Sequence, residues 1–181
     1  MALTLLTGGA RSGKSSLAAR LGAAWSGGVT FIATAEALDD EMRERIARHR
    51  EARNAAWTTV EEPVEIEAAL ASAPDGDLLI VDCLTLWVSN LFMRGCDAAT
   101  IEDRAVGAAF AASARTAPTV VVTNEVGGGI VPADPATRAY RDTLGTVNMV
   151  FARAARRAFV VVAGRAVPLT DDEEALRDIL S

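Results

Sequence analysis

The fold is decided near the amino end by one glycine-rich octapeptide, Gly8-Gly9-Ala10-Arg11-Ser12-Gly13-Lys14-Ser15. It fits the phosphate-loop pattern G-x-x-x-x-G-K-[ST], in which glycines let the backbone wrap closely around phosphate oxygens. The context agrees, because an apolar run predicts a strand over Leu3–Thr7 and a helical pattern follows over Lys14–Ala24. Backbone N–H groups and the amino end of that helix would then point at the anion. An ordinary glycine turn is the alternative, and the strand-to-helix context favours a nucleotide-phosphate site.

Three side chains around the loop have predicted roles. Lys14 should reach the β- and γ-phosphates, and the Ser15 hydroxyl should be a ligand of Mg²⁺. A magnesium site needs a further acidic group, and Asp82, which ends the apolar run Leu78–Val81, is the candidate. The structural alternative for Asp82 is a carboxylate that caps the region of Thr85.

Glu125 is a second carboxylate that follows a strand, the β-branched run Thr119–Thr123. Ligands of α/β sheets bind at the carboxyl ends of the strands, so Glu125 should lie along the same edge as the phosphate loop. It could orient a substrate or a water molecule. A structural salt bridge is the competing interpretation.

Short apolar runs alternate with amphipathic stretches along the whole chain. This pattern predicts an α/β fold with a mostly parallel sheet flanked by helices on both faces. The other predicted strands are Val29–Ala33, Leu78–Asp82, Thr119–Thr123 and Phe159–Ala163. The other predicted helices are Asp39–Arg53, Pro63–Ala71, Ile101–Arg115, Pro135–Arg156 and Asp171–Leu180.

Composition limits the organisation and the class of partner. The 181 residues, half of them hydrophobic, suit one nucleotide-binding catalytic domain over residues 1–170, with residues 171–181 as an acidic tail in a short helix. The formal net charge of −6 argues against binding a nucleic acid. No apolar run approaches the ~20 residues that span a bilayer, and the first residues do not resemble a signal peptide. We therefore expect no membrane span and a cytoplasmic location, with Cys83 and Cys96 as incidental thiols.

His49 is the only histidine of the chain. It follows Met42 and Ile46 on one seam of the predicted helix Asp39–Arg53, with Arg45 one turn away. One interpretation is a structural histidine at the edge of a helix, whose ring nitrogens are hydrogen-bonded. The other is a nucleophile that attacks phosphorus, with the neighbouring arginines holding its anionic partner. The residues alone leave both open.

Beyond the phosphate loop, further motifs occur in order and together resemble one known family. They are Ile32-Ala33-Thr34-Ala35, Asp40 to His49 with Arg53, Asp82-Cys83-Leu84-Thr85, Asn90-Leu91, Thr123-Asn124-Glu125-Val126-Gly127, Gly129-Ile130-Val131-Pro132, Arg141-Asp142, Gly145 and Asn148. The chain resembles, over roughly residues 3 to 169, the bifunctional adenosylcobinamide kinase and adenosylcobinamide-phosphate guanylyltransferase of cobalamin biosynthesis.

The resemblance implies a RecA-like P-loop fold, a homotrimer and two Mg²⁺-dependent reactions. In the first, ATP or GTP phosphorylates the aminopropanol hydroxyl of adenosylcobinamide. In the second, a histidine attacks the α-phosphate of GTP and carries GMP to adenosylcobinamide phosphate, giving adenosylcobinamide-GDP. The histidine of the family matches His49.

The resemblance also implies which residues contact the nucleotide. Beyond the phosphate loop they are Thr34, Ala35, Glu36, Arg50, Glu51, Ala52, Arg53, Glu61 and Asp82. Glu61 could equally be a solvated charge beside Glu62. Arg45 and Glu125 are candidates for orienting a substrate, and the loop Thr34–Leu38 is the expected hinge of the helix that carries His49.

Two other functions compete with this one. A small-molecule kinase without a nucleotidyl step would have the same phosphate loop, and His49 would then be dispensable. A regulatory GTP switch should show the guanine-specifying motif Asn-Lys-x-Asp, and the sequence does not contain it.

Overall fold

A computed structural model of the chain describes residues 3–51 and 53–180, with the side chains of Arg45, Glu174, Asp178 and Leu180 left out. Seven strands form one sheet in the order β3-β2-β4-β5-β1-β6-β7. The first six are parallel to one another, and β7 pairs with β6 in the antiparallel sense. The strands are β1 Leu3–Thr7, β2 Val29–Ala33, β3 Thr58–Glu61, β4 Leu78–Asp82, β5 Thr119–Val122, β6 Arg157–Val162 and β7 Arg165–Leu169.

Helices cover both faces of the sheet. They are α1 Lys14–Ala24, α2 Asp40–Glu51, α3 Ile66–Ser72, α4 Leu84–Met93, α5 Ala98–Ala114, α6 Pro135–Ala154 and α7 Asp172–Leu180. One buried cluster joins Leu5 and Val121 of the sheet to α3, α4, α5 and α6. The other joins Phe31 and Ile80 to Ala18 of α1. Because successive strand side chains point to opposite faces, the continuous apolar runs of the central strands supply both clusters.

Parallel pairing places the carboxyl ends of these strands at one edge of the sheet. The phosphate loop follows β1 there, next to the end of β5, while β4, β2 and β3 end on the far side of β5. The strand order therefore gathers at one edge the segments that contain the predicted site residues.

Several helix boundaries differ from those predicted from the sequence, and local capping explains them. The helix predicted from Pro63 begins at Ile66, because the Glu62 carboxylate accepts hydrogen bonds from the backbone N–H groups of Val64 and Glu65 and holds these residues in a turn. The helix predicted from Ile101 begins at Ala98, because Asp97 caps it.

The helix that contains His49 begins at Asp40 rather than Asp39, since the Asp39 carboxylate caps it by accepting from the Met42 N–H at 2.7 Å. It ends at Glu51, before the predicted Arg53. Three elements were absent from the prediction: β3, α4 and β7. No helix within residues 3–51 and 53–180 has the length and apolar character needed to cross a bilayer.

Candidate nucleotide-binding site

The phosphate loop is held against the turn that joins β6 to β7. Gly8 has a φ of 144°, and a side chain there would collide with the Val161 carbonyl oxygen. Gly13 has a φ of 103°, and its Cβ would lie 3.1 Å from the Gly164 Cα. The Gly164 N–H also donates to the Ser12 carbonyl at 2.8 Å. The two glycines of the motif are therefore required both by their positive φ values and by the close approach of β6 and its turn.

Lys14 lies inside this loop. Its side chain is only 6% exposed, and Nζ donates to the carbonyl oxygens of Gly8 at 2.9 Å and Gly9 at 2.7 Å. Burial lowers the pKa of Lys14 from its usual value, and the charge of Asp82 partly opposes this. The ammonium group is thus already at the centre of the loop, where an incoming phosphate would replace the carbonyl contacts.

A cavity of about 70 Å³ opens beside the loop. The phosphate loop contributes Ser15, β4 contributes Asp82, and His49 and Arg53 enter from α2 and the residues just after it. Its lining consists of Ser15, Ala33, Ala35, Met42, Ile46, His49, Arg53, Glu61, Asp82, Cys83 and Leu86. One cavity therefore brings together the predicted magnesium ligands and the predicted nucleophile, which are 33 to 67 residues apart in sequence.

The seam predicted on α2 faces this cavity, because Met42, Ile46 and His49 all line it. The imidazole is otherwise exposed to solvent. Arg53 is half-buried, and its guanidinium carbon lies 4.0 Å from the centre of the Phe31 ring. Burial lowers the pKa of Arg53. Packing on Phe31 thus fixes a cation in the lining of the cavity that His49 also lines.

Of the other nucleotide-contacting residues predicted in and after α2, the described residues Arg50 and Glu51 do not line the cavity, whereas Glu61 does. Arg50 is paired with Glu61, and both side chains are more than half exposed. Glu51 is exposed at the end of α2. Ala52 lies outside the described residues, as does the side chain of Arg45.

The segment between β2 and α2 is tied to β4 and α4. The buried Thr34 hydroxyl donates to the Cys83 carbonyl at 2.7 Å and accepts from the Cys83 N–H at 2.8 Å. The Asn90 amide donates to the Thr34 carbonyl at 2.7 Å and to the Pro63 carbonyl at 3.0 Å. Of the three residues predicted here, Ala35 lines the cavity, whereas the Thr34 hydroxyl is engaged by backbone.

The third predicted residue of this segment, Glu36, is bound by Arg94, the residue that caps the carboxyl end of α4. The guanidinium donates to both carboxylate oxygens, at 2.9 and 2.7 Å. These hydrogen bonds hold the pKa of Glu36 below its usual value.

Comparison with known proteins shows the family of this chain. Residues 4–169 match the family described as cobinamide kinase / cobinamide phosphate guanyltransferase. The chain belongs to this family. It is therefore a transferase of adenosylcobalamin biosynthesis with a cobinamide kinase and guanyltransferase function, and the resemblance stated from its motifs is confirmed.

Curated relatives of the cobinamide kinase / guanyltransferase family match nearly the whole chain. The bifunctional adenosylcobalamin biosynthesis protein CobP of Pseudomonas aeruginosa is 43% identical over 91% of this chain and 95% of its own length. The bifunctional adenosylcobalamin biosynthesis protein CobU of Salmonella typhimurium is 41% identical over 92% of this chain and 99% of its own length. The CobU protein of Escherichia coli is 38% identical over 92% of this chain and 99% of its own length.

The fold is shared more widely than the family. The flagellar accessory protein FlaH from Methanocaldococcus jannaschii superposes with a TM-score of 0.51 at 12% identity, covering 96% of this chain and 80% of that chain. The mostly parallel sheet, its strand order and the loop after β1 confirm the predicted RecA-like P-loop fold.

In this member of the cobinamide kinase / guanyltransferase family, Glu125 lies beside the phosphate loop, as predicted. Its N–H donates to the Gly8 carbonyl at 3.1 Å, and its exposed carboxylate accepts from the Gly127 N–H at 2.5 Å. The carboxylate thus closes its own turn. The neighbouring Asn124 is held by Thr85, whose hydroxyl accepts from its N–H at 2.8 Å, and by Asn148, whose amide donates to its carbonyl at 3.0 Å.

Sequence reasoning gave no role to Asn90 and Arg94, which anchor the segment between β2 and α2. The signal for Asn90 was present: an amide in the middle of an apolar helix, Leu84–Met93, indicates a buried polar group with fixed partners. Arg94 had no comparable signal, because its partner is 58 residues away in sequence.

Proposed function

We propose that this chain phosphorylates adenosylcobinamide with ATP or GTP and then transfers GMP from GTP through a guanylylated His49. The observation that carries the proposal is the single cavity shared by Ser15, Asp82, His49 and Arg53. A nucleotide whose phosphates lie in the loop would extend into this cavity. The predicted nucleophile would then have access to phosphorus without a second nucleotide site.

In the kinase step, the acceptor hydroxyl oxygen bonds to the γ-phosphorus of the nucleotide. The bond from that phosphorus to the bridging oxygen breaks, and a nucleoside diphosphate and a proton are released. Such a transfer depends on holding anions in line and on spreading charge. Lys14 and the backbone N–H groups of the phosphate loop supply fixed positive charge and donors where the phosphates would lie.

The residues present suit Mg²⁺. A hydroxyl from Ser15 and a carboxylate from Asp82 line one cavity, and both are oxygen ligands. Mg²⁺ in nucleotide sites is held by one or two protein oxygens together with substrate phosphates and water. When bound, the ion would supply charge neutralisation at the phosphates.

The place of Asp82 in the fold supports this role. The residue that caps α4 is Cys83 rather than Asp82, so the carboxylate is not in the capping position of the structural alternative. It ends β4, directly beside β5 and one strand away from the phosphate loop.

In the guanylyl step, a ring nitrogen of His49 bonds to the α-phosphorus of GTP, and pyrophosphate leaves. The phosphate oxygen of adenosylcobinamide phosphate then attacks the same phosphorus, the nitrogen–phosphorus bond breaks, and the histidine is restored. Arg53 lines the same cavity and is held on Phe31, and these two observations support a role for its charge in binding phosphate during both displacements.

The two steps are separated by the variant His49→Asn. We expect it to phosphorylate cobinamide at nearly the normal rate and to form no cobinamide-GDP from cobinamide phosphate and GTP. Arg48→Gln, an exposed neighbour on the same helix, is the matched control and should retain both activities. A His49→Asn protein that still makes cobinamide-GDP would leave the kinase activity supported and remove the histidine mechanism.

A further inference from the structure

The loop that follows β5 exposes an apolar tip. Ile130 is 98% exposed and Val131 is 62% exposed, with Val126 partly exposed before them. Between these residues lie Gly127, Gly128 and Gly129, which have no side chains that would keep a ligand away from the backbone. We call residues 126–131 the apolar loop. Ile130 and Val131 are neighbours in sequence, so together they offer apolar area that a binding partner would remove from water.

Hydrogen bonds hold both ends of the apolar loop in place. At its start, the Glu125 N–H donates to the Gly8 carbonyl of the phosphate loop, and the Glu125 carboxylate accepts from the Gly127 N–H. At its end, the Arg138 guanidinium of α6 donates to the carbonyl oxygens of Pro132 at 2.8 Å and Ala133 at 2.7 Å. Five extended residues span at most about 17 Å, so Ile130 lies within that distance of Glu125.

The strand order gives the apolar loop a definite side of the phosphate loop. The cavity that His49 lines contains Ala33, Glu61 and Asp82 at the ends of β2, β3 and β4, together with Ser15 of the phosphate loop. The apolar loop follows β5, which lies between β4 and β1. It begins against Gly8, whose carbonyl accepts from the Glu125 N–H, and none of residues 126–131 is among those that line the cavity. A nucleotide held in the phosphate loop and this cavity would leave the β5 side open to a second substrate.

We propose that the apolar loop binds the corrinoid macrocycle of the acceptor and so presents its hydroxyl beside Lys14. This rests on the proposed kinase function. The acceptor chemistry fits, because a corrin ring has broad apolar faces for Ile130 and Val131, and its peripheral amides can pair with the exposed backbone of Gly128 and Gly129. A second copy of the chain fits less well, since a few short aliphatic side chains fall far below the roughly 800 Å² per partner of a stable interface.

The test uses a double variant, Ile130→Ser with Val131→Ser, in the full chain. Both side chains are exposed, so the fold should be unaffected. We expect the dissociation constant for cobinamide, measured by equilibrium dialysis, and the KM for cobinamide to rise about tenfold. The dissociation constant for GTP should be unchanged. Phe110→Ser, a substitution at another exposed apolar residue on α5, is the matched control and should alter neither value.

Three results would overturn the inference. One is an unchanged affinity for cobinamide. Another is an equal loss of GTP and cobinamide affinity, which indicates that the phosphate loop itself has been deformed. The third is a change of oligomeric state in size-exclusion chromatography, which makes the loop an interface between copies. Failure of the proposed kinase function can be distinguished from failure of this inference alone. In the first case the unmodified protein would bind GTP but not phosphorylate cobinamide, and the inference would fail with it.

Discussion

At the scale of single residues, the phosphate loop depends on a glycine whose backbone no other residue adopts easily. Gly8 has a φ of 144°, and its α-carbon faces the Val161 carbonyl. We expect Gly8→Ala to destabilise the protein by about 1–3 kcal/mol, because the added methyl group meets both strain and a backbone atom. GTP affinity should fall with it, as the loop shifts away from β6.

Gly9→Ala is the internal control for that substitution. Its Cβ would point into open space, and its φ lies outside the left-handed region. Its stability in urea unfolding should stay within about 0.5 kcal/mol of the original value. Equal losses in the two alanine variants would contradict the assigned role of the β6 contact.

A second residue-scale prediction concerns Asn90. It is buried and donates to the carbonyl oxygens of Thr34 and Pro63. Asn90→Ala leaves both oxygens without this donor, so we expect a loss of about 2–4 kcal/mol in urea unfolding. Asn54→Ala removes an exposed amide oxygen that accepts a single hydrogen bond, from the Ala56 N–H, and should cost less than about 1 kcal/mol. Similar midpoints for the two variants would refute the anchoring role of Asn90.

At the scale of elements, the Glu36–Arg94 pair joins the segment before α2 to α4. The pKa of Glu36 is lower in the folded protein than its ordinary value of 4.5. The ion pair therefore contributes its full stabilisation to the folded protein above pH 4.5. This stabilisation is lost as the pH falls through the lower pKa of the folded state. The expected difference between the original protein and Glu36→Gln is about 0.2–1 kcal/mol at pH 7, because the pair is partly exposed. It should shrink progressively below pH 4.5 and also decrease in high salt. A difference independent of pH would show that the charge is not the cause.

The sequence predicted most elements because their patterns were local. The strands β1, β2, β4 and β5 are continuous apolar runs, and the helix predicted from Pro135 begins at that residue. The strand β3 was missed because it is short and mostly exposed, so it lacks an apolar run. The helix α4 was missed because its apolar residues are not confined to one stripe, which removes the helical period.

The candidate site was predictable where its residues belong to a motif. The phosphate loop and Asp82 could be predicted because each belongs to a short sequence motif. The relation of His49 to Ser15 could not be read from the chain, because it depends on the strand order that places β2 beside β4. The ion pair of Arg50 with Glu61 likewise requires β3, which the sequence did not reveal.

At the scale of the whole molecule, the proposed mechanism requires one cavity to hold both a bound nucleotide and the covalent intermediate. The sheet edge gathers Ser15, Asp82, His49 and Arg53 around a space of about 70 Å³. We propose that α2 moves so that the imidazole comes into line with the α-phosphorus. Of the expected hinge Thr34–Leu38, Thr34 and Glu36 are held by hydrogen bonds, so the bending falls to the residues after Glu36. The homotrimer implied by the family resemblance remains a prediction, which light scattering of the purified protein would check.

The most direct test of the central claim is denaturing mass spectrometry of the unmodified protein after incubation with GTP and Mg²⁺. Because the chain contains one histidine, a phosphoramidate of histidine can form at one position only. The account predicts a covalent mass increase equal to one GMP moiety, mapped by fragmentation to His49 and absent from His49→Asn. A protein that binds GTP yet acquires no GMP, or acquires it at another residue, would contradict the account.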